Sequence, residues 1–439
     1  MKKIAFIILI AAFGIMAKAQ NEYEKDNCRA DLSVTWQDVQ KLLKPDEAVI
    51  EFATCYPANT QQTNSVLYVA LVLRPDMDAP VWIPLCEEKD LQACFDRTKS
   101  ISNNRLDVDW LKTHVLYNLF GNELYNLIWQ PLEKELADVE EIYYSLTGLL
   151  NQIAFNALPV GNDNRTLLDT YNLKLVSGIR EIARISKETT QSILQDTAVI
   201  YGGLTYDAPS DAERQSRSGA WLYTPGTKIE TEAIVKLLES RHIPCKYYTE
   251  DQGTEESFKQ LSGTNAALIH VSTHGYFLSD LESLDVADIQ RLGVDKENLM
   301  SGSGLIMSGT NATWMATEII MDQGKDDGIL TADEISRINL KHTKLAVLAG
   351  SVTGLGYVTD EGVFGLQRAF KLAGVESLIM SLWDVDDMAT QIMMITFYTN
   401  LIGGKTRQEA FRTAQKAVRE YAENDFSSPY YWAAFVMMD

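Results

Sequence analysis

Two residues of this chain stand where a strand gives way to a tight turn, and both can take part in proton exchange. In "AALIHVSTHGYF", His274 follows a buried-looking apolar run and precedes Gly275. In "LAVLAGSVTGLG", Ser351 follows five apolar residues and Gly350, and it precedes Thr353, Gly354 and Gly356. A histidine and a nucleophile-type residue on adjacent strand ends form the working pair of acyl transfer, in which the imidazole takes the proton as the nucleophile attacks a carbonyl. Gly275 permits a tight backbone, so its N–H, with that of Ser351, is placed to meet a developing oxyanion. His270, inside the apolar run, reads as a core histidine. Ser351 is either the working nucleophile or a residue standing where something more reactive belongs.

The elements that must position this pair are legible around it. After the polar stretch "SKETTQSILQD", strands "TAVIYGG", "CKYYTE", "AALIHVST", "KLAVLA" and "VESLIMSL" alternate with amphipathic helical segments. Repeated strand–helix units predict an α/β fold, a mostly parallel sheet flanked by helices, with its active site at the carboxyl edge of the strands. A helix is expected over "DEGVFGLQRAFKLAG", where Val363, Leu366, Phe370 and Ala373 fall on one stripe. Thr331 and Glu334 have the spacing of a capping box. The closing "YWAAFVMM" reads as a strand. Before the polar stretch, "AVIEFA", "VLYVALVL", "EIYYSL" and "LKLVSG" read as strands, and Leu111, Leu116, Leu119, Leu124 and Leu127 mark a helical face between them. No acid, histidine and nucleophile come together in that half. The expected divisions are 1–19, 20–190 and 191–439.

Composition narrows the function. The chain has 439 residues, 60 acidic against 39 basic, and a formal charge of -21. So acidic a surface repels phosphate backbones, which argues against nucleic acid as a partner. Lys2 and Lys3, the apolar "IAFIILIAAFGIMA" and Ala17-Lys18-Ala19 form a secretory signal peptide of bacterial type, which predicts a periplasmic or secreted protein. No later run is apolar for 18 residues, so no membrane span is expected in the mature chain. The five cysteines, Cys28, Cys55, Cys86, Cys94 and Cys245, match no zinc spacing, and none follows Cys245. "DQGKDDGILTADE" mimics a calcium loop, but counting from Asp322 puts Gly328 at the seventh position and Asp333 at the twelfth. "SGSGLIMSG" lacks the lysine of a nucleotide loop. No metal and no cofactor are expected.

"HVSTHGYF", "DGILTADEI", "LAVLAGSVTGLG", "EGVFGLQRAFKLAGVESLIMSLWDVDD" and "PYYWAAFVMMD" together resemble the successive signatures of the CHAT family, caspase-like and separase-related domains. "TWQDVQKLLKPDEAVIEFA" and "IYYSLTGLLNQIAFNALP" resemble the segment that precedes the catalytic half in that family. The resemblance implies a degenerate caspase-like α/β unit over 20–190 and a catalytic-type unit over 191–439. It implies a cysteine endopeptidase chemistry with a peptide or protein as substrate or partner. The family's histidine corresponds to His274 and its cysteine, from a motif similar to S-A-C-x-T-G, to Ser351, followed here by Val352. A serine hydroxyl ionises far less readily beside a histidine than a thiol does. Ser351 therefore has three readings: a natural loss leaving a pseudo-peptidase, an engineered replacement, or a true serine nucleophile. The loop "SLWDVDD" is expected to line the specificity pocket, with Trp383 as a wall and Asp384 or Asp386 receiving a basic side chain. Asp386 and Asp387 also fit the start of the next helix as caps.

Overall fold

The computed structural model describes residues 34–56, 65–102, 108–161, 165–185, 196–207, 220–278, 298–314, 326–359 and 362–439. The expected signal peptide, Cys28, the junction up to residue 195 and positions 322–325 of the calcium-loop mimic lie outside them. The chain forms two compact units. One comprises residues up to Thr190 with Val358–Gly362 and Met438–Asp439, and the other Gln191–Tyr357 with Val363–Met437.

In the first unit five strands run in the order Val81–Glu87, Leu67–Leu73, Glu47–Cys55, Glu141–Ser145 and Asn172–Leu175. Glu47–Cys55 pairs antiparallel with Leu67–Leu73 and parallel with Glu141–Ser145. Side chains alternate along a strand, so Val49 joins Leu43, Leu73 and Ile182 in one cluster. Phe52, from the opposite face, meets Phe155 at 5.5 Å between ring centroids. The helical stretch breaks into Val108–Leu119 and Gly121–Ile128. Leu119, at the end of the first piece, is therefore exposed rather than on the buried face. His114, the only histidine before residue 190, is in hydrogen-bond contact with Asn118 one helical turn away.

The second unit is built on strands ordered Cys245–Glu250, Thr197–Leu204, Ala266–Val271, Leu345–Leu348, Ser377–Ser381 and Phe435–Met438. The first four junctions of that order are parallel. Ala266–Val271, Leu345–Leu348 and Ser377–Ser381 are buried at every residue, as expected of strands covered on both faces. One face carries helices Pro225–Ser240 and Asp387–Ile402, tied to the sheet by Glu230 and Tyr398, which both reach His270. The other carries Phe258, tilted against Tyr201, and Phe370, edge-on to Phe258. In chain order the strands run second, first, third, fourth, fifth, sixth. The order reverses between the first and third strands, and such a switch point opens a crevice at their carboxyl ends.

Two expectations change in detail. The helix after Ser351 begins only at Leu366, because Gly362–Gly365 forms a strand paired with Gly356–Thr359. Gly365 is extended, at φ -175° and ψ -162°, and Gly362 takes a φ of +111°, so neither continues a helix. Val363, Leu366, Phe370 and Ala373 are nonetheless all buried. The closing segment is helical over Pro429–Trp432 before the strand Phe435–Met438. The capping box at Thr331 and Glu334 is formed as spaced.

Candidate active site

His274 lies three residues past the Ala266–Val271 strand, and Ser351 three residues past Leu345–Leu348. These strands are neighbours in parallel register, Val271 opposite Leu348, so their carboxyl ends emerge side by side. Two glycines let the loops that follow touch. A Cβ on Gly275 would lie 2.5 Å from the Ser351 carbonyl oxygen, and one on Gly350 would run into the Thr273 carbonyl. The requirement at both positions is close approach of main chains, the second use of glycine.

The Ser351 turn is bound in place from the next strand. Gly354 N–H donates to the Ser381 carbonyl at 2.7 Å, Ser381 N–H donates to Thr353 Oγ1 at 2.9 Å, and Ser381 Oγ donates to the Gly350 carbonyl at 2.5 Å. Thr353 and Ser381 are fully buried, so these bonds work where water does not compete. Val352 is forced to a φ of 53°, the left-handed region that a β-branched residue seldom enters. Strain of this kind gathers at functional turns, and the sequence motif gave no sign of it.

His274 is half-buried, its ring set between Tyr206 at 5.2 Å and Trp221 at 5.1 Å. Its Nε2 lies 2.8 Å from the Leu222 carbonyl oxygen and 3.2 Å from Thr224 Oγ1. A carbonyl only accepts, so Nε2 carries the hydrogen, and the unprotonated Nδ1 is the basic nitrogen. Burial holds the imidazole below its ordinary pKa, while the Leu222 carbonyl and the charge of Asp387 pull it back up. Leu222 is thus the orienting group for the histidine, and it acts through its main chain. No side-chain motif could have announced it. Thr224 precedes helix Pro225–Ser240 without capping it, its hydroxyl facing His274.

The two principal side chains do not bond to each other. Ser351 Oγ accepts a hydrogen bond from Val385 N–H at 3.3 Å. The remaining expected residues follow on the same loop. Trp383 is 9% exposed, and its indole N–H donates to the Tyr430 carbonyl at 2.9 Å. Asp384 is exposed. Asp386 Oδ1 accepts from the N–H groups of Met388 and Ala389, capping helix Asp387–Ile402. Asp387 lies against the start of Pro225–Ser240, where a Cβ on Gly226 would come within 2.9 Å of its Oδ2. Burial and the neighbouring Asp386 raise the Asp387 carboxyl above its ordinary value, and His274 opposes them.

His270, one strand turn earlier, is fully buried, with Nε2 3.0 Å from Glu230 Oε1 and Nδ1 3.1 Å from the Tyr398 hydroxyl. Ser272 Oγ donates to Glu230 Oε2 at 2.9 Å. This network fastens helix Pro225–Ser240 to the strand that carries His274. Among the described residues no cysteine takes the place of Ser351. Cys245 opens its strand at the opposite edge of the sheet, and burial pushes its thiol up to about 11. Among the described residues no group of three or more His, Cys, Asp or Glu could hold a metal ion, and no helix is long and apolar enough to cross a membrane.

A family model described as "CHAT domain" matches residues 119–439. Tetratricopeptide repeat protein 28 of Homo sapiens is 26% identical over 337 residues, covering 72% of this chain and 13% of that protein, and the Mus musculus protein gives the same figures. The chain thus spans a small fraction of the length of these curated relatives. Among solved structures, the Saccharomyces cerevisiae separase–securin complex aligns with a TM-score of 0.51 at 10% identity, over 91% of this chain and 31% of the other. At that identity the likeness carries the fold alone.

Proposed function

The chain belongs to the CHAT domain family and has a caspase-like α/β fold, and from that premise we propose that the Ser351 and His274 loops form a peptidase-type site for acyl transfer. The observation that carries this reading is the close approach of the two loops, Gly275 against the Ser351 carbonyl, beside an imidazole already oriented by Leu222. In the reaction, the nucleophile at position 351 passes its proton to His274 Nδ1 and attacks a peptide carbonyl. The N–H groups of Gly275 and Ser351 receive the oxyanion. The C–N bond breaks, the leaving amine takes the proton from His274, and water then releases the acyl group with His274 again as base. Trp383, Asp384 and Asp386 would meet the substrate, although Trp383 and Asp386 already spend hydrogen-bonding groups on Tyr430 and on the helix cap.

With serine at 351 the site is inactive or weakly active. A hydroxyl needs strong general-base help to become a nucleophile, whereas a thiol beside a histidine ionises near neutral pH. A second reading is favoured by one contact: Ser351 Oγ is engaged by Val385 N–H and not by His274. It makes the cleft a non-catalytic module that holds a peptide or protein partner. The curated relatives are named as tetratricopeptide repeat proteins, which fits a protein rather than a small molecule as the bound species. In the same reading, residues 20–190 are a degenerate caspase-like domain, residues 191–439 carry the site, and the basic–apolar–small N-terminal run directs export. Incubating the full chain and its Ser351→Cys variant with a broad peptide library, followed by mass spectrometry, separates the two. Cleavage by the cysteine variant that disappears with His274→Ala supports the peptidase site. Saturable binding with no products supports the binding module.

A further inference from the structure

His274 owes its surroundings to residues that do not belong to either motif loop. Trp221 lies against its ring at a 39° tilt, and Leu222, the next residue, supplies the carbonyl that holds Nε2. Trp221 has no polar anchor of its own, because its buried indole N–H finds no partner among the described residues. Its main chain is gripped instead by Asn311. The Trp221 N–H donates to Asn311 Oδ1 at 2.8 Å, and Asn311 Nδ2 donates to the Trp221 carbonyl at 2.9 Å. The same Nδ2 donates to Asp207 Oδ1 at 2.9 Å, and the Asn311 N–H donates to the carbonyl of Tyr206, the second ring on His274. Both of the ring's aromatic neighbours are therefore tied to one residue, Trp221 by the Asn311 side chain and Tyr206 by the Asn311 main-chain N–H, and Asn311 is itself 2% exposed. Helix Asn311–Trp314 adds a second contact, Trp314 edge-on to Trp221 at 5.1 Å.

The anchor is itself anchored. Thr310 Oγ1 lies 2.5 Å from the carbonyl oxygens of both Met307 and Gly328, with one hydrogen to donate between them, and Gly309 N–H donates to the Thr205 carbonyl. The orientation of the Asn311 amide is fixed by its partners: a backbone N–H needs an acceptor, and a carboxylate and a carbonyl need donors. Aspartate at 311 would keep the bond from Trp221 N–H, lose both donated bonds, and face Asp207 with like charge. Alanine would lose all three side-chain bonds, to Trp221 and Asp207, and keep the main-chain bond to Tyr206. The glycine-rich "SGSGLIMSG" thus leads into this anchor, its Ser303–Ile306 strand pairing with the Gly275–Phe277 strand that follows His274.

We propose that Asn311 is a positioning residue for the His274 site, setting where Trp221 and the Leu222 carbonyl stand and so which imidazole nitrogen keeps its proton. The proposal rests on the acyl-transfer reading of His274, and its test is chosen to be decided separately. In the full chain, Asn311→Ala and the isosteric Asn311→Asp are compared by histidine nitrogen spectra at neutral pH. In a Ser351→Cys background they are compared by the pH profile of iodoacetamide alkylation. The unaltered protein should show His274 protonated on Nε2, a signature lost with alanine and weakened with aspartate. Alkylation at pH 7 should fall roughly tenfold to a hundredfold with alanine, the usual cost of a misplaced catalytic partner. A merely structural role would lower the melting temperature and leave tautomer and profile alone. If the folded variants keep both, the proposal is wrong, and if alanine prevents folding the aspartate variant decides. The spectra need no nucleophile, so a Ser351→Cys protein that cuts nothing while the Nε2 signature still depends on Asn311 counts against the peptidase reading alone.

Discussion

Replacing Gly275 by alanine tests the contact on which the site is built. The added Cβ would lie 2.5 Å from the Ser351 carbonyl oxygen and 2.9 Å from Thr353 Cγ2. The first of these is backbone, and the turn behind it is bonded to Ser381, so no flexible side chain can simply swing away. Reaching even 3.0 Å requires the loops to part by about 0.5 Å, and an ordinary contact of 3.4 Å requires about 0.9 Å. Overpacking of this kind costs about 1–3 kcal/mol. In a domain of this size that lowers the melting temperature by roughly 3–10 °C. A displacement approaching 1 Å between reacting groups costs on the order of a hundredfold in rate. The assay is thermal melting of the full chain, with iodoacetamide alkylation of Ser351→Cys in the same background. Gly178→Ala is the control, since no atom lies within 4 Å of its added Cβ, and it should leave stability within about 0.5 kcal/mol. A Gly275→Ala protein with unchanged melting and unchanged thiol reactivity would refute the close approach of the two loops.

Glu230→Ala strands His270 and Ser272 without their partner in a dry interior and should cost about 3 kcal/mol, measured by urea denaturation; a loss below about 1 kcal/mol would mean the network is not buried as described. His274, held below its ordinary value, binds fewer protons folded than unfolded, so its contribution is complete above about pH 6.5 and is lost as pH falls through the folded value. His274→Asn should flatten that part of the acid limb, and an identical stability curve below pH 6.5 would contradict the burial of the ring. Val352→Gly relieves a left-handed backbone at 53° and should stabilise by about 1 kcal/mol in thermal melts, whereas a destabilised variant would show that packing of the valine outweighs the strain.

The parallel core was readable because its strands are apolar on both faces, and periodicity reports burial directly. The placement of His274 and Ser351 just past two strands was readable because a glycine beside a strand end marks a tight turn there. The helix start at Leu366 was not, since Val363 and Leu366 sit at helical spacing by coincidence across a strand–helix junction. Gly362 and Gly365, read together, were the available sign. Leu222 was invisible for a different reason: its role belongs to a carbonyl that every residue carries. Asn311 and Glu230 act through tertiary contacts across 90 and 40 residues of sequence, to Trp221 and His270, which no local pattern encodes. The N-terminal helical face does not extend through Leu119, which is exposed, because the helix breaks before Gly121.

The central claim is that position 351 and His274 act as one unit, and the ionisation of a thiol at 351 tests it most directly. The pH profile of iodoacetamide alkylation is measured for Ser351→Cys with and without His274→Ala. A thiol paired with His274 should ionise well below the ordinary value of about 8.5, and removing the histidine should return it there. An ordinary thiol profile in both proteins would contradict the account.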